Sequence, residues 1–483
     1  MLIKLPELKQ KSNFINHWQG FAGSSRALAI AEQAKQADQP IVVICNDAPQ
    51  VWHLQQEIEY FLGKSHSDES PELPVFSFPD WETLPYDNFS PHQDIVSQRL
   101  LTLYQLPRLK QGIVLISVST LLLKLPPREY IEQNSLVMHT GQELDMHEVR
   151  SLFEQHGYNA VNQVYSHGEF AVRGSILDVF PMGSDKPLRI DFFDDEIDTI
   201  RYFDPESQLS EDTLNNFELL PAKEFPLDKD GIEAFRQNFR RTFDVNLQKV
   251  WLYQEVSNGN APAGIEYYLP LFFNEVDTLF NYLPEQSILC SLGNHDQAIT
   301  DYWAEITERY EQRRHDVERP ILEPKQLYLV EDELNTLLKE TVRVRLEPSS
   351  PDKKQVTAPV PMMPIEHKAT DPAHHLRNFL HHWQGQTLIA TESPGRREAL
   401  KDLLERHDIH TTVSASWKDS AGALKSDVIE IGVAPLTQGF VVDKLAVVTE
   451  MELFGEQAIQ RRSSERDQKP SVQAEDVIRN LAE

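Results

Sequence analysis

Short, uniformly apolar runs next to helical segments dominate the first part of the chain. The runs PIVVICND (residues 40–47) and GIVLIS (within residues 112–126) lack the alternation of a strand with one face in water. Such runs are typical of strands buried on both faces of a parallel sheet. The segments GSSRALAIAEQAKQ and VWHLQQEIEYFL have helical spacing and flank the first run. This order predicts an α/β unit with a parallel sheet over residues 1–134.

The pattern changes at about residue 135. The segments SLVMHTGQEL and VNQVYSHGEFAVRGSILDVFPMG predict strands on either side of a helix, MHEVRSLFEQHG. The segment RIDFFDDEIDTIRYFD predicts a hairpin that turns at Asp194 and Asp195. We therefore expect an inserted α+β domain over residues 135–219.

The remaining chain divides by composition. Residues 220–346 return to mixed helix and strand patterns. The stretch EPSSPDKKQVTAPVPMMP is rich in Pro, Lys and Ser and has no periodicity, so we interpret residues 347–372 as a linker. A small α/β domain is expected over residues 373–458, and a charged tail over residues 459–483.

Charge and cysteine content limit the function classes. The formal net charge of −29 disfavours a broad DNA-binding surface, because phosphate contacts need Lys and Arg. No apolar run approaches the roughly 20 residues of a membrane span, and the first residues lack a signal-peptide pattern. Cys45 and Cys290 each lie in an apolar run, which favours buried thiols over a disulfide or a zinc site. We expect a cytoplasmic protein.

The turn before the first helix has the spacing of a phosphate loop without its chemistry. A phosphate loop needs a Gly-rich turn, a Lys for the phosphates and a Ser or Thr for Mg²⁺. The segment from Gly20 reads GFAGSSRA, so Ser25 stands at the last glycine, Arg26 at the lysine and Ala27 at the metal-binding hydroxyl. Taken alone, the segment favours an ordinary turn from loop to helix.

A second landmark lies further along. The elements PAGIEYY (262–268) and LFNYLPEQSILCSLGNH (279–295) resemble UvrB, the helicase-like subunit of nucleotide-excision repair. In that family a GIENY element precedes a DYFP element, a strand and an Asp-Glu-Ser-His box. Leu292 and Gly293 occupy the Asp-Glu positions here, although His295 remains. The resemblance implies a degenerate P-loop, RecA-like core without the acidic pair that ATP hydrolysis needs.

The sequence differs from UvrB in one further element. UvrB follows its Tyr-rich element with a long β-hairpin that inserts into DNA, whereas LPYDNFSPHQD (84–94) runs straight into IVSQRLLTLYQL. Four segments carry a closer likeness, namely DWETLPYDNFSPHQDIVSQRLLTLYQLP, GEFAVRGSILDVFPMGSDKPLRIDFFDDEID, PAGIEYYLPLFF and DVIRNLAE. Over nearly its whole length the chain resembles the N-terminal part of the bacterial transcription-repair coupling factors, the Mfd family.

That resemblance implies both architecture and function. UvrB-like domains 1A, 2 and 1B would correspond to residues 1–134, 135–219 and 220–346. The chain would be a catalytically inactive adaptor of transcription-coupled nucleotide-excision repair that recruits UvrA, with no catalytic residue, cofactor or metal. RNA polymerase and DNA would be bound through domains beyond residue 483, among them an ATP-driven DNA translocase. The alternative is an ATP-dependent DNA-remodelling enzyme related to UvrB.

In this family UvrA binds domain 2, and the resemblance carries the docking residues onto Arg173, Arg189 and Phe193. Strand alternation in LRIDFFD agrees in part, because it puts Ile190 and Phe192 on one face and Arg189 and Phe193 on the other. An aromatic side chain beside an Arg is a common interface anchor. Alternation assigns faces but not exposure, so Phe193 as sheet-edge core, with Arg189 paired to a neighbouring carboxylate, stays open. The expectation for Arg173 rests on the resemblance.

Two further motifs have simpler interpretations. The pairs His374-His375 and His381-His382 lie on a predicted helix, but a metal site would also need a carboxylate or a third ligand, so a solvated helix face is preferred. The segment SPGRR (393–397) opens a helix after a strand and is interpreted as a turn and helix cap, because it lacks a Gly-x-Gly frame for an anion.

Overall fold

The computed structural model describes residues 2–64, 71–348, 355–366, 369–422, 424 and 426–455. The predicted charged tail, residues 459–483, lies outside these residues. Within them, no helix has both the length and the apolar character needed to cross a membrane.

Residues 15–133 alternate between strands and helices, as the apolar runs predict. The elements are β1 (Ile15–Phe21), α1 (Ser25–Gln36), β2 (Ile41–Cys45), α2 (Ala48–Phe61), β3 (Val75–Phe78), α3 (Gln93–Gln105), β4 (Ile113–Ser117), α4 (Val118–Leu122) and α5 (Arg128–Gln133). Every residue of β2 and β4 is buried, as expected of central strands in a parallel sheet. Asp47 caps α2 by accepting the backbone N–H of Gln50, so the helix begins directly after β2.

Residues 136–219 form a six-stranded second sheet, one helix and a separate antiparallel pair made by the first and last strands of the segment. The elements are β5 (Leu136–His139), α6 (Met146–Gln155), β6 (Asn159–Ala160), β7 (Glu169–Arg173), β8 (Ile176–Val179), β9 (Leu188–Phe193), β10 (Glu196–Phe203), β11 (Ser210–Leu214) and β12 (Asn216–Leu219). Six strands follow the order β11-β10-β9-β8-β7-β6, and only β6 and β7 are parallel. The predicted hairpin is observed, and Asp194 at its turn adopts a left-handed φ of 51°, which Asp tolerates better than most residues.

Residues 229–348 return to the first sheet. The elements are α7 (Lys229–Thr242), α8 (Trp251–Ser257), α9 (Leu279–Tyr282), β13 (Ile288–Leu292), α10 (Asp296–Arg313), α11 (Pro324–Leu327), α12 (Glu331–Lys339) and β14 (Val342–Pro348), with 3₁₀ turns at Leu106–Arg108, Leu247–Lys249 and Ile265–Phe272. The parallel order is β1-β14-β13-β2-β4-β3. The first sheet therefore combines strands that precede the second sheet in the chain with strands that follow it.

The last described segment forms a third sheet. The elements are α13 (His374–His382), β15 (Gln386–Thr391), α14 (Pro394–Arg406), β16 (Thr412–Ser414), α15 (Trp417–Gly422), β17 (Ile429–Val433), β18 (Phe440–Val442), β19 (Leu445–Thr449) and α16 (Glu450–Phe454). The strand order is β16-β17-β15-β19-β18. One apolar cluster joins this sheet to the first, because Phe61 of α2 packs edge-on against Trp417 at a ring-centroid distance of 4.8 Å and also contacts Phe440.

Residues 355–366, which we call the strap, lie within the predicted linker 347–372. The strap connects the first and third sheets as a linker would, but it is packed. Ala358 exchanges two backbone hydrogen bonds with Val441 of β18. Val360 and Met363 are buried in the core of the third sheet. The Pro-rich composition predicted a connecting segment. The apolar side chains in the strap pack it against the third sheet.

A buried ion pair fixes the exit from the second sheet. Arg99 of α3 is fully buried and binds the carboxylate of Glu224, with its Nη2 3.0 Å from Oε2. The guanidinium also lies 4.8 Å from the ring centroid of Phe78 and 5.5 Å from that of Trp81. Burying such a pair costs free energy unless its hydrogen bonds are satisfied. The pair therefore favours the packing in which α3 lies against Glu224.

The two cysteines are free and buried, as predicted. Burial raises the pKa of the Cys290 thiol to about 12. That thiol is therefore protonated at neutral pH and behaves as a small apolar side chain.

Candidate functional site

The outer face of the second sheet carries the three predicted docking residues. Ile190 and Phe192 of β9 are buried in the core beneath the sheet. Phe193 lies on the opposite face, and 74% of it is exposed. Strand alternation therefore assigned the faces of β9 correctly, and Phe193 is not sheet-edge core.

A buried carboxylate brings the two predicted arginines together. Asp178 of β8 is fully buried and accepts hydrogen bonds from Arg189, with Nε 2.7 Å from Oδ1 and Nη2 3.0 Å from Oδ2. Asp178 also accepts a hydrogen bond from Nη2 of Arg173. The register explains this meeting, because Asp178 lies directly opposite Arg189 and Arg173 lies opposite Ile176. Pairing with a neighbouring carboxylate, the alternative open for Arg189, is thus observed.

The two arginines differ in what they offer a partner. The third nitrogen of the Arg189 guanidinium, Nη1, donates to the backbone oxygen of Gln208 at 3.0 Å. The guanidinium also lies 4.7 Å from the ring centroid of Phe203. Hydrogen bonding to Asp178 raises the pKa of Arg189, and 16% of its side chain is exposed. The side chain of Arg173 is 50% exposed. Arg189 therefore positions the surface, whereas Arg173 can contact a partner.

Asp178 and the exposed Leu209 were not among the predicted residues. Asp178 had a usable signal, since it is a single carboxylate in the apolar run ILDVF. Leu209 had none, because its 68% exposure depends on the turn between β10 and β11, where Gln208 adopts a φ of 61°. On the outer face, the backbone positions of Phe193 and Arg189 are four residues apart in β9, about 13 Å along the strand. Exposed aromatic and arginine side chains of this kind are typical of anchors in protein–protein interfaces.

The turn at residues 20–27, predicted to be a degenerate phosphate loop, makes its hydrogen bonds with other groups of the chain. It follows β1 and leads into α1, the position at which a phosphate loop binds its ligand. The backbone N–H of Ala22 donates to Oγ1 of Thr357 in the strap at 2.8 Å. The backbone N–H of Ser24 donates to the backbone oxygen of Gln438 at 3.0 Å. Amides that would bind phosphate are therefore used within the chain.

A carboxylate and a neighbouring loop close the same turn. The hydroxyl of Ser24 donates to Oε1 of buried Glu57 at 2.6 Å, and the backbone N–H of Thr437 donates to the same oxygen at 2.8 Å. Gly23 has a φ of 52°, and a Cβ added there would lie 2.5 Å from the backbone oxygen of Gly439. A phosphate would meet both a negative charge and the loop before β18.

At the positions predicted to correspond to the Lys, the Mg²⁺-binding hydroxyl and the acidic pair, the side chains are Arg26, Ala27, Leu292 and Gly293. Arg26 is half-buried, and its Nε faces the backbone oxygen of Gly23 at 3.4 Å. Ala27 is fully buried in the core. Leu292 is also buried, and Gly293 has a φ of 85°. The hydroxyl of Ser25 donates to the backbone oxygen of Ala22.

His295, the histidine singled out by the resemblance to UvrB, is buried. His295 has its Nδ1 2.6 Å from Oδ1 of Asn46. Burial lowers the pKa of His295, so the ring is neutral at pH 7. His295 immediately precedes α10, so this contact joins the start of α10 to Asn46, which follows β2.

Two protein-family models match the chain. The UvrB interaction domain matches residues 136–225, which include the second sheet and its outer face. The MFD D3 domain matches residues 379–453, which include the third sheet.

Named relatives match nearly the whole chain. It is 40% identical over 95% of its length to the transcription-repair-coupling factor of Haemophilus influenzae, and 39% identical over 95% to that of Escherichia coli K12. The chain spans 39% and 40% of the lengths of these two relatives. It therefore carries a UvrB interaction domain and an MFD D3 domain, and it is homologous to the transcription-repair-coupling factors over nearly its whole length.

Proposed function

We propose that this chain is an adaptor of transcription-coupled nucleotide-excision repair that recruits UvrA through the outer face of its second sheet. The exposed phenyl ring of Phe193, on the same face of the second sheet as two arginines held by Asp178, is the observation that carries this proposal. The matching UvrB interaction domain includes all of these residues. RNA polymerase and DNA would be engaged by parts of the longer protein outside this chain.

The proposal includes the absence of ATP hydrolysis by this chain. It is supported by the internal hydrogen bonds of the Ala22 and Ser24 amides and by the buried carboxylate of Glu57 beside the same turn. We regard the first sheet as a RecA-like core that has lost its ligand. The purified chain should neither bind a fluorescent ATP analogue nor turn over ATP. ATP turnover that Arg26→Ala abolishes would instead favour the alternative, a DNA-remodelling enzyme.

Binding to purified UvrA tests the docking surface. Gel filtration of the 483-residue chain with UvrA should show a complex, and Arg173→Ala should weaken it about tenfold, since charged anchors at interfaces contribute on that scale. Arg150→Ala is the matched control, because Arg150 lies on α6 of the same segment, and 67% of its side chain is exposed. No complex with the intact chain, or equal losses in both variants, would contradict the proposal.

A further inference from the structure

Three potential metal ligands meet where the strap reaches α13. Glu366 lies at the end of the strap, and His374 and His375 occupy the first turn of the helix. One donor atom from each residue lies within 4.8 Å of the other two. Nε2 of His375 is 3.4 Å from Oε1 of Glu366, close to the separation of about 3.4 Å between two ligands on a tetrahedral zinc ion with bonds of about 2.0–2.1 Å.

A backbone carbonyl orients one of the two imidazoles. Nδ1 of His374 lies 3.1 Å from the backbone oxygen of Asp371, which can only accept. In the neutral ring this contact selects the tautomer with hydrogen on Nδ1, which leaves Nε2 as the nitrogen that can bind a metal. Ligating histidines are commonly oriented in this way, with the other ring nitrogen donating to a carbonyl or carboxylate.

We propose that Glu366, His374 and His375 form a binding site for a zinc-type divalent cation. Two imidazoles and one carboxylate suit zinc, whereas Mg²⁺ and Ca²⁺ prefer all-oxygen ligands. Glu366 is exposed, and 41% of the His375 side chain is exposed. Both side chains can therefore make the small movements needed to bind an ion, and water can complete its coordination.

The bound ion would join the strap to the third sheet. The strap also supplies Thr357 to the degenerate phosphate loop, so the site lies at the opposite end of the segment that holds the first and third sheets together. A metal that binds the folded chain stabilises it by mass action. The competing interpretation is a surface ion pair between His375 and Glu366, which requires no metal.

Calorimetric titration of the metal-free 483-residue chain with ZnCl₂ tests the site. We expect one equivalent to bind, and the thermal midpoint to rise when Zn²⁺ is added. Glu366→Gln and His374→Ala should each weaken binding at least about tenfold and remove the thermal shift. Glu366→Gln preserves side-chain size, and an unchanged melting curve without metal will show that this variant folds.

The second histidine pair on the same helix is the matched control. His381 and His382 end α13 and do not belong to the cluster. The double variant His381→Ala/His382→Ala should bind Zn²⁺ as tightly as the parent chain. The proposal is overturned if no stoichiometric binding occurs, or if this control loses as much affinity as Glu366→Gln.

Discussion

Asp178 and Arg189 form a two-point ion pair, in which Nε and Nη2 of the arginine lie 2.7 and 3.0 Å from the two carboxylate oxygens. Asp178 is fully buried, whereas its other partner, Arg173, is half exposed. Asp178 is therefore inaccessible to a partner protein, but it positions the two arginines of the proposed docking surface.

Asp178→Asn should weaken UvrA binding although the residue is buried. Asn keeps the size of the side chain but removes the charge that both arginines share, so Arg173 loses its fixed position. We expect affinity to fall by about fivefold or more, within the range of charge-pair couplings at interfaces. Binding titration measures this, and far-UV circular dichroism confirms that the variant folds. Unchanged affinity in a folded variant would show that UvrA binding does not depend on the Asp178 carboxylate.

Phe193→Ala should reduce UvrA affinity by about 2 kcal/mol or more, the cost of truncating an aromatic anchor. Because the ring is 74% exposed, the free energy of unfolding should change by less than about 0.5 kcal/mol. Phe89→Ala is the matched control, since Phe89 is 71% exposed but lies outside the second sheet. Equal affinities for UvrA in the two variants would exclude Phe193 as an anchor.

Gly23→Ala should destabilise the joint between the first and third sheets. The substitution combines a positive φ with a Cβ 2.5 Å from the backbone oxygen of Gly439, and we expect a loss of about 1–3 kcal/mol in urea unfolding. Gly395→Ala in α14 is the control, because its Cβ would meet nothing within 4 Å. If Gly23→Ala is as stable as the control, the loop before β18 is not held against the turn.

Arg99→Met should cost about 3–5 kcal/mol, because it leaves the buried carboxylate of Glu224 without its partner. The double variant Arg99→Met/Glu224→Leu should recover a large part of that loss, since both charges are then absent. Chemical unfolding of the two single variants and the double variant gives the coupling. Strictly additive losses would show that the two side chains stabilise the fold independently.

Glu266 should make stability depend on pH. Burial raises its pKa from 4.5 to about 7 in the folded chain, against a hydrogen bond from Ser90 that acts in the opposite direction. Its stabilising contribution is therefore fully present below about pH 4.5 and is lost as the pH rises through about 7. Glu266→Gln removes this titration, so between pH 5 and 8 it should become progressively more stable relative to the parent. Parallel stability profiles for the two proteins would contradict the assignment.

Local patterns in the sequence determined the strands, the helices and the faces of β9. The uniformly apolar runs predicted β2 and β4, and alternation placed Phe192 inside and Phe193 outside. The interpretation of residues 393–397 as a helix cap is confirmed, because Ser393 accepts the backbone N–H of Arg396. These features depend on neighbours within a few residues, and periodicity records such neighbours directly.

Only the tertiary structure decided which distant groups meet. Strand register placed Asp178 beneath Arg189, and the folding of the third sheet against the first brought Gln438 onto the Ser24 amide. No third ligand for His374 and His375 is evident from the sequence, whereas the packed strap places Glu366 beside His375. Burial and pairing of this kind follow from contacts between segments far apart in the chain, and local propensity carries no information about them.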